Sequence, residues 1–283
     1  MSLATFAPLD PAVYREVVRR ALAEDVRWGD VTTEAVISTE QTAVGRLRAV
    51  QPCVLAGLEV AMESFRQLDP HVRLEEHRRE GEACEAGATL ATLRGFAAAL
   101  LTAEQTAINF LSRLCGVATE TRAFAEACDG RITLLDTRAT TPTLRALEAY
   151  AVRVGGGVNQ RVGLDDGVRV TANHVRLAGS VGEAVSRVKE ADADLPVRVE
   201  VATLEGVDAA LEAGADIVVV AGLPEAELAK AVARTRDRAK LELIGSRDPG
   251  SVQALARSGA EYVSVEALTA AAVPAELVFE VEE

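Results

Sequence analysis

Between Leu134 and Val175 the chain reads LLDTRATTPTLRALEAYAVRVGGGVNQRVGLDDGVRVTANHV, which concentrates the residue types that bind a small molecule. The apolar run at 132–135 stops at Asp136, Thr137 and Arg138, as a buried strand does when it delivers polar side chains to its carboxyl end. A second run, 168–170, stops in the same way at Thr171, Ala172, Asn173 and His174. Between them Gly155, Gly156 and Gly157 allow close backbone approach to a ligand, followed by Asn159, Gln160 and Arg161. Arg138 and Arg161 suit an anion; Glu200 and Glu266, at the ends of later apolar runs, suit proton transfer. The same residues also fit a plain loop, a flexible turn and a capping pair at Asn173 and His174, so on chemistry alone both readings stay open.

The elements that must position these groups follow from periodicity. Thr141 and Pro142 supply a cap and first-turn proline for a helix carrying Leu144, Leu147, Tyr150 and Ala151 at helical spacing. After Gly130, apolar runs at 132–135, 168–170, 197–201, 217–220, 241–244 and 262–265 alternate with helical stretches at 182–191, 204–212, 225–236 and 251–258. That rhythm predicts a parallel sheet closed into a barrel. A barrel presents its functional side chains at the carboxyl ends of its strands. Here those ends carry Thr137, Arg138 and Ala139; Thr171 and Asn173; Glu200 and Ala202; Ala221; residues 244–247; and Glu266. The expected pocket is lined by small and apolar groups, with two arginines and two carboxylates. Glu200 works there as a general base provided neither Arg138 nor Arg161 reaches it.

Upstream, residues 10–23 read as a helix with Pro11 in its first turn and a stripe of Val13, Val17, Val18, Ala21 and Leu22. A loop at 24–33 holds Trp28. Residues 42–94 alternate as half-buried antiparallel strands around a helix at 59–67. A long helix at 98–128 aligns Ile108, Leu111, Leu114 and Cys115 on one face and leaves Gln105 and Arg113 on others.

The 283 residues, 49% of them hydrophobic, are ample for a sizeable core. A net charge of -13 argues against nucleic acid or an anionic membrane as partner. Lys189, Lys230 and Lys240 are the only lysines, and none lies at a strand end. Four cysteines without CxxC spacing and three histidines support neither a zinc site nor a disulfide framework. With no signal-like amino terminus and no membrane-length apolar run, a cytoplasmic protein is expected.

The central stretch resembles the quinolinate phosphoribosyltransferase family, whose signature runs approximately DTRKTTPGLR, KYAVRxGGGxNHR and GLxDxxLIKDNH. The likeness extends to EDVRWGDVTT, LAGLEV, INFLSRLCGVAT and YVSVEALT of this chain, so it spans nearly its whole length. It implies an amino-terminal open sandwich domain (1–110 with 271–283) and a seven-stranded α/β barrel (111–270). It also implies a homodimer in which each barrel mouth is completed by the neighbouring subunit. The family reaction joins quinolinate to phosphoribosyl pyrophosphate in NAD biosynthesis, with Mg2+ needed only if phosphoribosyl pyrophosphate binds.

This chain departs from the family pattern where that pattern carries charge. Ala139 and Thr171 replace lysines, Gln160 a histidine, Gln105 an arginine expected to reach the neighbouring subunit, and Ala172 and Ala221 aspartates. Beside Gly245, Ile244 and Ser246 replace the serine and second glycine of the SGG phosphate turn, and Glu266 replaces a glycine. Arg138, Arg161, Asn173, His174 and Glu200 are retained. Three readings follow: a phosphoribosyltransferase by descent with weak native activity; a pseudoenzyme or binding protein for a less charged ligand; and a repurposed barrel with Glu200 or Glu266 as general base.

Overall fold

The computed structural model describes residues 6–191 and 194–282. The chain begins with α1 (Pro11–Val26), α2 (Val31–Val36), β1 (Thr42–Ala49), β2 (Cys53–Val54), α3 (Leu58–Leu68), β3 (Arg73–Glu76), β4 (Ala83–Cys84) and β5 (Thr89–Phe96). The 32-residue α4 (Ala97–Cys128) follows, then β6 (Thr133–Leu135), α5 (Arg145–Gly155), β7 (Val168–Val170), α6 (Ala172–Ala178) and α7 (Val181–Glu190). The remainder is β8 (Val197–Val201), α8 (Leu204–Glu212), β9 (Ile217–Val220), α9 (Glu225–Thr235), β10 (Lys240–Ile244), α10 (Pro249–Leu255), β11 (Tyr262–Ser264), α11 (Ala267–Ala270) and β12 (Leu277–Glu282).

These elements form two compact units. One takes the chain through Arg122, then Thr140–Gly156, then everything from Ala272 onward; the other takes Ala123–Ala139 and Gly157–Ala271.

The first unit is built on an antiparallel sheet in the order β12-β1-β5-β3. Its alternating strands bury Leu47, Leu90, Leu93 and Phe279 against Phe65 and Met62 of α3 and Leu100 and Leu111 of α4. Gly45 is glycine because the Phe279 ring lies over it: a Cβ there would sit 2.0 Å from the ring. Asp10 caps α1 by accepting from Ala12 N, and Tyr14, Val18 and Leu22 form its buried stripe. All four cysteines are buried free thiols.

The second unit is a parallel sheet in the order β6-β11-β10-β9-β8-β7, with helices in the connections. Val158 adds a seventh parallel position through one bridge to Leu135, its N–H donating to Leu134 O at 2.9 Å. β8 and β9 coincide with the apolar runs at 197–201 and 217–220. No helix among the described residues is long and apolar enough to cross a membrane.

One helix start differs from expectation. Pro142 lies in a turn and α5 begins at Arg145, because Thr143 adopts a left-handed φ of 67° that a helix interior does not accept. The buried carboxylate of Glu148 holds that turn, accepting from Thr141 N at 3.0 Å, Thr141 Oγ1 at 2.7 Å and Arg113 Nε at 2.8 Å.

Candidate anion site at the barrel mouth

The strands of the second unit place the expected residues at their carboxyl ends and, along their interiors, a set of charges that strand-end reasoning missed. Asp136, one residue past β6, is buried and accepts from Asn159 Nδ2 at 2.6 Å and Gln160 N at 2.7 Å. Gln160 then bridges: its Nε2 donates to Glu242 Oε1 at 2.6 Å, and its Oε1 accepts from Arg169 Nη1 at 3.3 Å. Glu242, in the middle of β10, is fully buried and faces Arg198 of β8 at 3.3 Å and Arg169 of β7 at 3.7 Å. Arg169 also reaches Glu200 at 3.4 Å.

This network corrects the expected pocket. The arginine that pairs with Glu200 is Arg169, which was outside the expected pair, so the carboxylate is ion-paired although the contact comes from neither residue named in the expectation. Two interior arginines and a buried glutamate join the groups read at the strand ends. The available signal was the alternation itself: VRV in β7, VRVEV in β8 and KLELI in β10 carry charge at every second position of otherwise apolar strands. Such a pattern places those charges together on one face of the sheet.

Arg161 donates Nη1 to Gly167 O at 2.8 Å, while its buried Nε has no hydrogen-bond partner. Burial holds its guanidinium below the ordinary value, and the positive charges of Arg138, Arg169 and Arg198 add to that effect, with Asp166 opposing. Arg161 therefore feels the repulsion of three other arginines. A site of that kind is stabilised by an anion.

The other expected residues have local roles. Ala139 O accepts from Thr269 Oγ1 at 2.6 Å. Thr171 is the N-cap of α6, and His174 Nδ1 accepts from Thr171 N at 3.1 Å, so this segment is a capped helix start. Asn173 and His174 are exposed, and Ala221 is half-buried after β9. Glu266 is exposed at the start of α11. In the other unit, Gln105 is exposed on α4 and donates to Asn109 Oδ1 at 2.9 Å.

The turn after β10 is occupied by the chain's own groups. The Asp248 carboxylate accepts from Gly250 N at 3.2 Å and Ser251 N at 3.1 Å at the start of α10, and Ser246 Oγ accepts from Asp248 N at 3.2 Å. Gly245 packs against Val265, 2.8 Å from where a Cβ would stand. For a divalent cation the donor set does not fit. Ala221 offers no ligand, Glu200 and Glu242 are held by arginines, and no group of three or more His, Cys, Asp or Glu among the described residues is arranged to hold a metal.

A cavity of about 540 Å³ lies at the opposite, amino-terminal ends of the strands, lined by Asp216, Arg238, Lys240 and Glu261 among others. Its carboxylates serve the sheet: Asp216 accepts from Val197 N, and Glu261 from Leu241 N, both at 2.8 Å.

Residues 30–115 match the quinolinate phosphoribosyl transferase N-terminal domain and residues 117–279 the C-terminal domain of the same enzyme. The chain belongs to the quinolinate phosphoribosyltransferase family. It is 38% identical over 265 residues to the nicotinate-nucleotide pyrophosphorylase [carboxylating] of Mycobacterium leprae, covering 90% of this chain and 92% of that one. It is 34% identical to the probable enzyme of the same name from Bacillus subtilis, covering 90% and 89%. Among solved structures, the nicotinate-nucleotide pyrophosphorylase of Francisella tularensis superposes with a TM-score of 0.92 at 32% identity, covering 97% of this chain and 98% of that one.

Proposed function

We propose that this quinolinate phosphoribosyltransferase-family chain binds a small organic anion at the barrel mouth and carries out the reaction named for its relatives weakly or not at all. The observation that carries the reading is the convergence of Arg138, Arg161, Arg169 and Arg198, with the Arg161 guanidinium depressed by burial and by its neighbours. Binding and orientation fall to these guanidinium groups, with Glu242 and Gln160 fixing Arg169 and Arg198 from below.

Transfer from phosphoribosyl pyrophosphate needs more than this. Backbone donors for a phosphate are engaged by Asp248, and both family lysines are replaced, by Ala139 and Thr171. Each lost transition-state donor typically costs roughly 3 kcal/mol, so several together lower the rate by many powers of ten even without additivity. Mg2+ enters this reading only alongside bound phosphoribosyl pyrophosphate. A homodimer in the cytoplasm, with the mouth completed by the neighbouring subunit, belongs to the same proposal.

The test is quinolinate-dependent release of carbon dioxide and pyrophosphate, with thermal-shift binding of quinolinate in parallel. Binding without turnover above about 1 per second is the expected result. Turnover in the usual enzyme range of roughly 1 to 1000 per second would overturn the reading of the transfer site.

A further inference from the structure

Cys53, Cys84 and Cys115 belong to one core cluster of the first unit. Cys53 and Cys84 lie directly opposite each other in the antiparallel β2–β4 ladder, and both side chains are buried, so they share a face. Directly opposed residues in such a ladder have Cα atoms about 4.5 to 5.5 Å apart, inside the range of about 4.4 to 6.8 Å that a disulfide spans. Val54 N donates to Thr119 Oγ1 at 2.8 Å, and Thr119 Oγ1 donates to Cys115 O at 2.6 Å, which ties β2 to the turn of α4 that carries Cys115.

The third thiol makes the other two unequal. Cys115 is fully buried and has one S–H with two acceptors in reach, Ala56 O at 3.6 Å and the Cys53 sulfur. Donation from Cys115 holds the Cys53 thiol below its ordinary value, against the opposing effect of burial. The Cys84 thiol is pushed up to about 11, by burial first and then by Cys53 and Glu82. Cys53 is therefore the better nucleophile of the opposed pair. Access follows from the size of the ladder. β2 and β4 are two residues each, form a sheet of their own, and are flanked by exposed Gln51, Pro52, Glu85 and Ala86. A ladder that short opens locally at small cost and admits a small oxidant.

We propose that Cys53 and Cys84 form a reversible cross-strand disulfide, with Cys53 as the attacking thiol and Cys115 donating to its sulfur. The oxidant is a low-molecular-weight disulfide. The Cys53 thiolate attacks one sulfur of the oxidant, whose S–S bond breaks to release one thiolate and leave a mixed disulfide on Cys53. The Cys84 thiolate then attacks Cys53 Sγ and releases the second thiolate. Cys53 and Cys84 together give up two electrons and two protons, and the oxidant takes them up as a pair of thiols. The new bond closes the loop that carries α3 and β3.

The experiment incubates the full-length chain with oxidised glutathione, quenches with iodoacetamide and maps the peptides by mass spectrometry. The expected product joins the Cys53 and Cys84 peptides, is about 2 Da lighter than their reduced sum, and disappears on adding dithiothreitol. Cys115→Ala, checked for folding by circular dichroism, should form the bond about tenfold more slowly, and Cys115→Ser, which keeps a donor, should restore most of the rate. The wild-type map decides the pairing whether or not the variants fold. A bond from Cys53 to Cys115, glutathione adducts without an intrachain bond, or a bond that forms only in urea would overturn the proposal. A rate unmoved by Cys115→Ala would overturn the part given to Cys115.

Discussion

Replacing Glu242 by Gln probes whether the inner face of the sheet is the low-dielectric charge cluster described above. The substitution keeps the volume and an acceptor for Gln160 Nε2, now 2.6 Å away, and removes the charge facing Arg198 at 3.3 Å and Arg169 at 3.7 Å. At an effective dielectric constant of about 20, unit charges at such separations attract by roughly 4.5 to 5 kcal/mol per pair before desolvation is counted. The two arginine side chains are 14% and 15% exposed, so they recover some hydration as they lose the carboxylate. The net loss expected is then about 3 to 5 kcal/mol, as for a buried pair broken from one side. Equilibrium urea unfolding of the wild type, Glu242→Gln, Arg198→Gln and the double variant gives that loss and the coupling within the pair. The double variant should be less destabilised than the two single losses added together, because Arg198 is no longer left facing a missing carboxylate, while Arg169 loses its partner in both Glu242→Gln backgrounds. A Glu242→Gln loss below about 1 kcal/mol, with additive single effects, would refute the reasoning and mean that the cluster is hydrated.

In the first unit, Gly45→Ala should cost about 1 to 3 kcal/mol in urea unfolding because its Cβ would meet the Phe279 ring, and Phe279→Leu in the same chain should recover part of it. Glu80 is a pH probe. Its carboxylate accepts from Gly57 N, Leu58 N and the Tyr150 hydroxyl, and burial raises its proton affinity above the ordinary carboxylate range. A raised folded value means that the folded state holds the proton to higher pH than the unfolded state does. The contribution of Glu80 to stability is therefore fully present below the ordinary value of 4.5 and is lost as pH rises through the folded value. The stability difference between wild type and Glu80→Gln should accordingly fall with rising pH across that window, and a difference independent of pH would contradict the assignment.

Much of the framework was legible in the amino-acid sequence because periodicity reports burial. The runs at 197–201 and 217–220 coincide with β8 and β9, since a parallel strand covered by helices on one side shows as an uninterrupted or alternating apolar run bounded by polar turns. The start of α5 was misplaced because Pro142 is a favourable first-turn residue locally, while the left-handed Thr143 and the buried Glu148 that organise the turn act through tertiary contacts. The site was half legible. Asp136, Arg138, Gln160, Arg161 and Glu200 follow from strand ends and from family motifs, but Arg169, Arg198 and Glu242 lie within strands, where an apolar reading treats charge as interruption. Their partnership depends on the order β10-β9-β8-β7, which brings together residues 169, 198 and 242 from distant parts of the chain.

The pairing of β1 with β12 sets an order of events during synthesis on the ribosome. Residues 44–49 are made more than two hundred residues before 277–282, yet they form adjacent antiparallel strands, Val44 opposite Glu282 and Ala49 opposite Leu277. The parallel-sheet unit has all its residues once Ala271 has emerged, whereas the unit that holds β1 lacks a strand until residues 277–282 have followed. The unit that holds β1 is completed after the parallel-sheet unit. Throughout that interval β1 presents an open edge, and it carries Arg46 and Arg48, whose charges discourage pairing with another nascent chain. When β12 arrives, Glu282 and Glu280 meet those same arginines at 2.6 and 3.0 Å, so the charges that guarded the open edge also help to set the register that closes it.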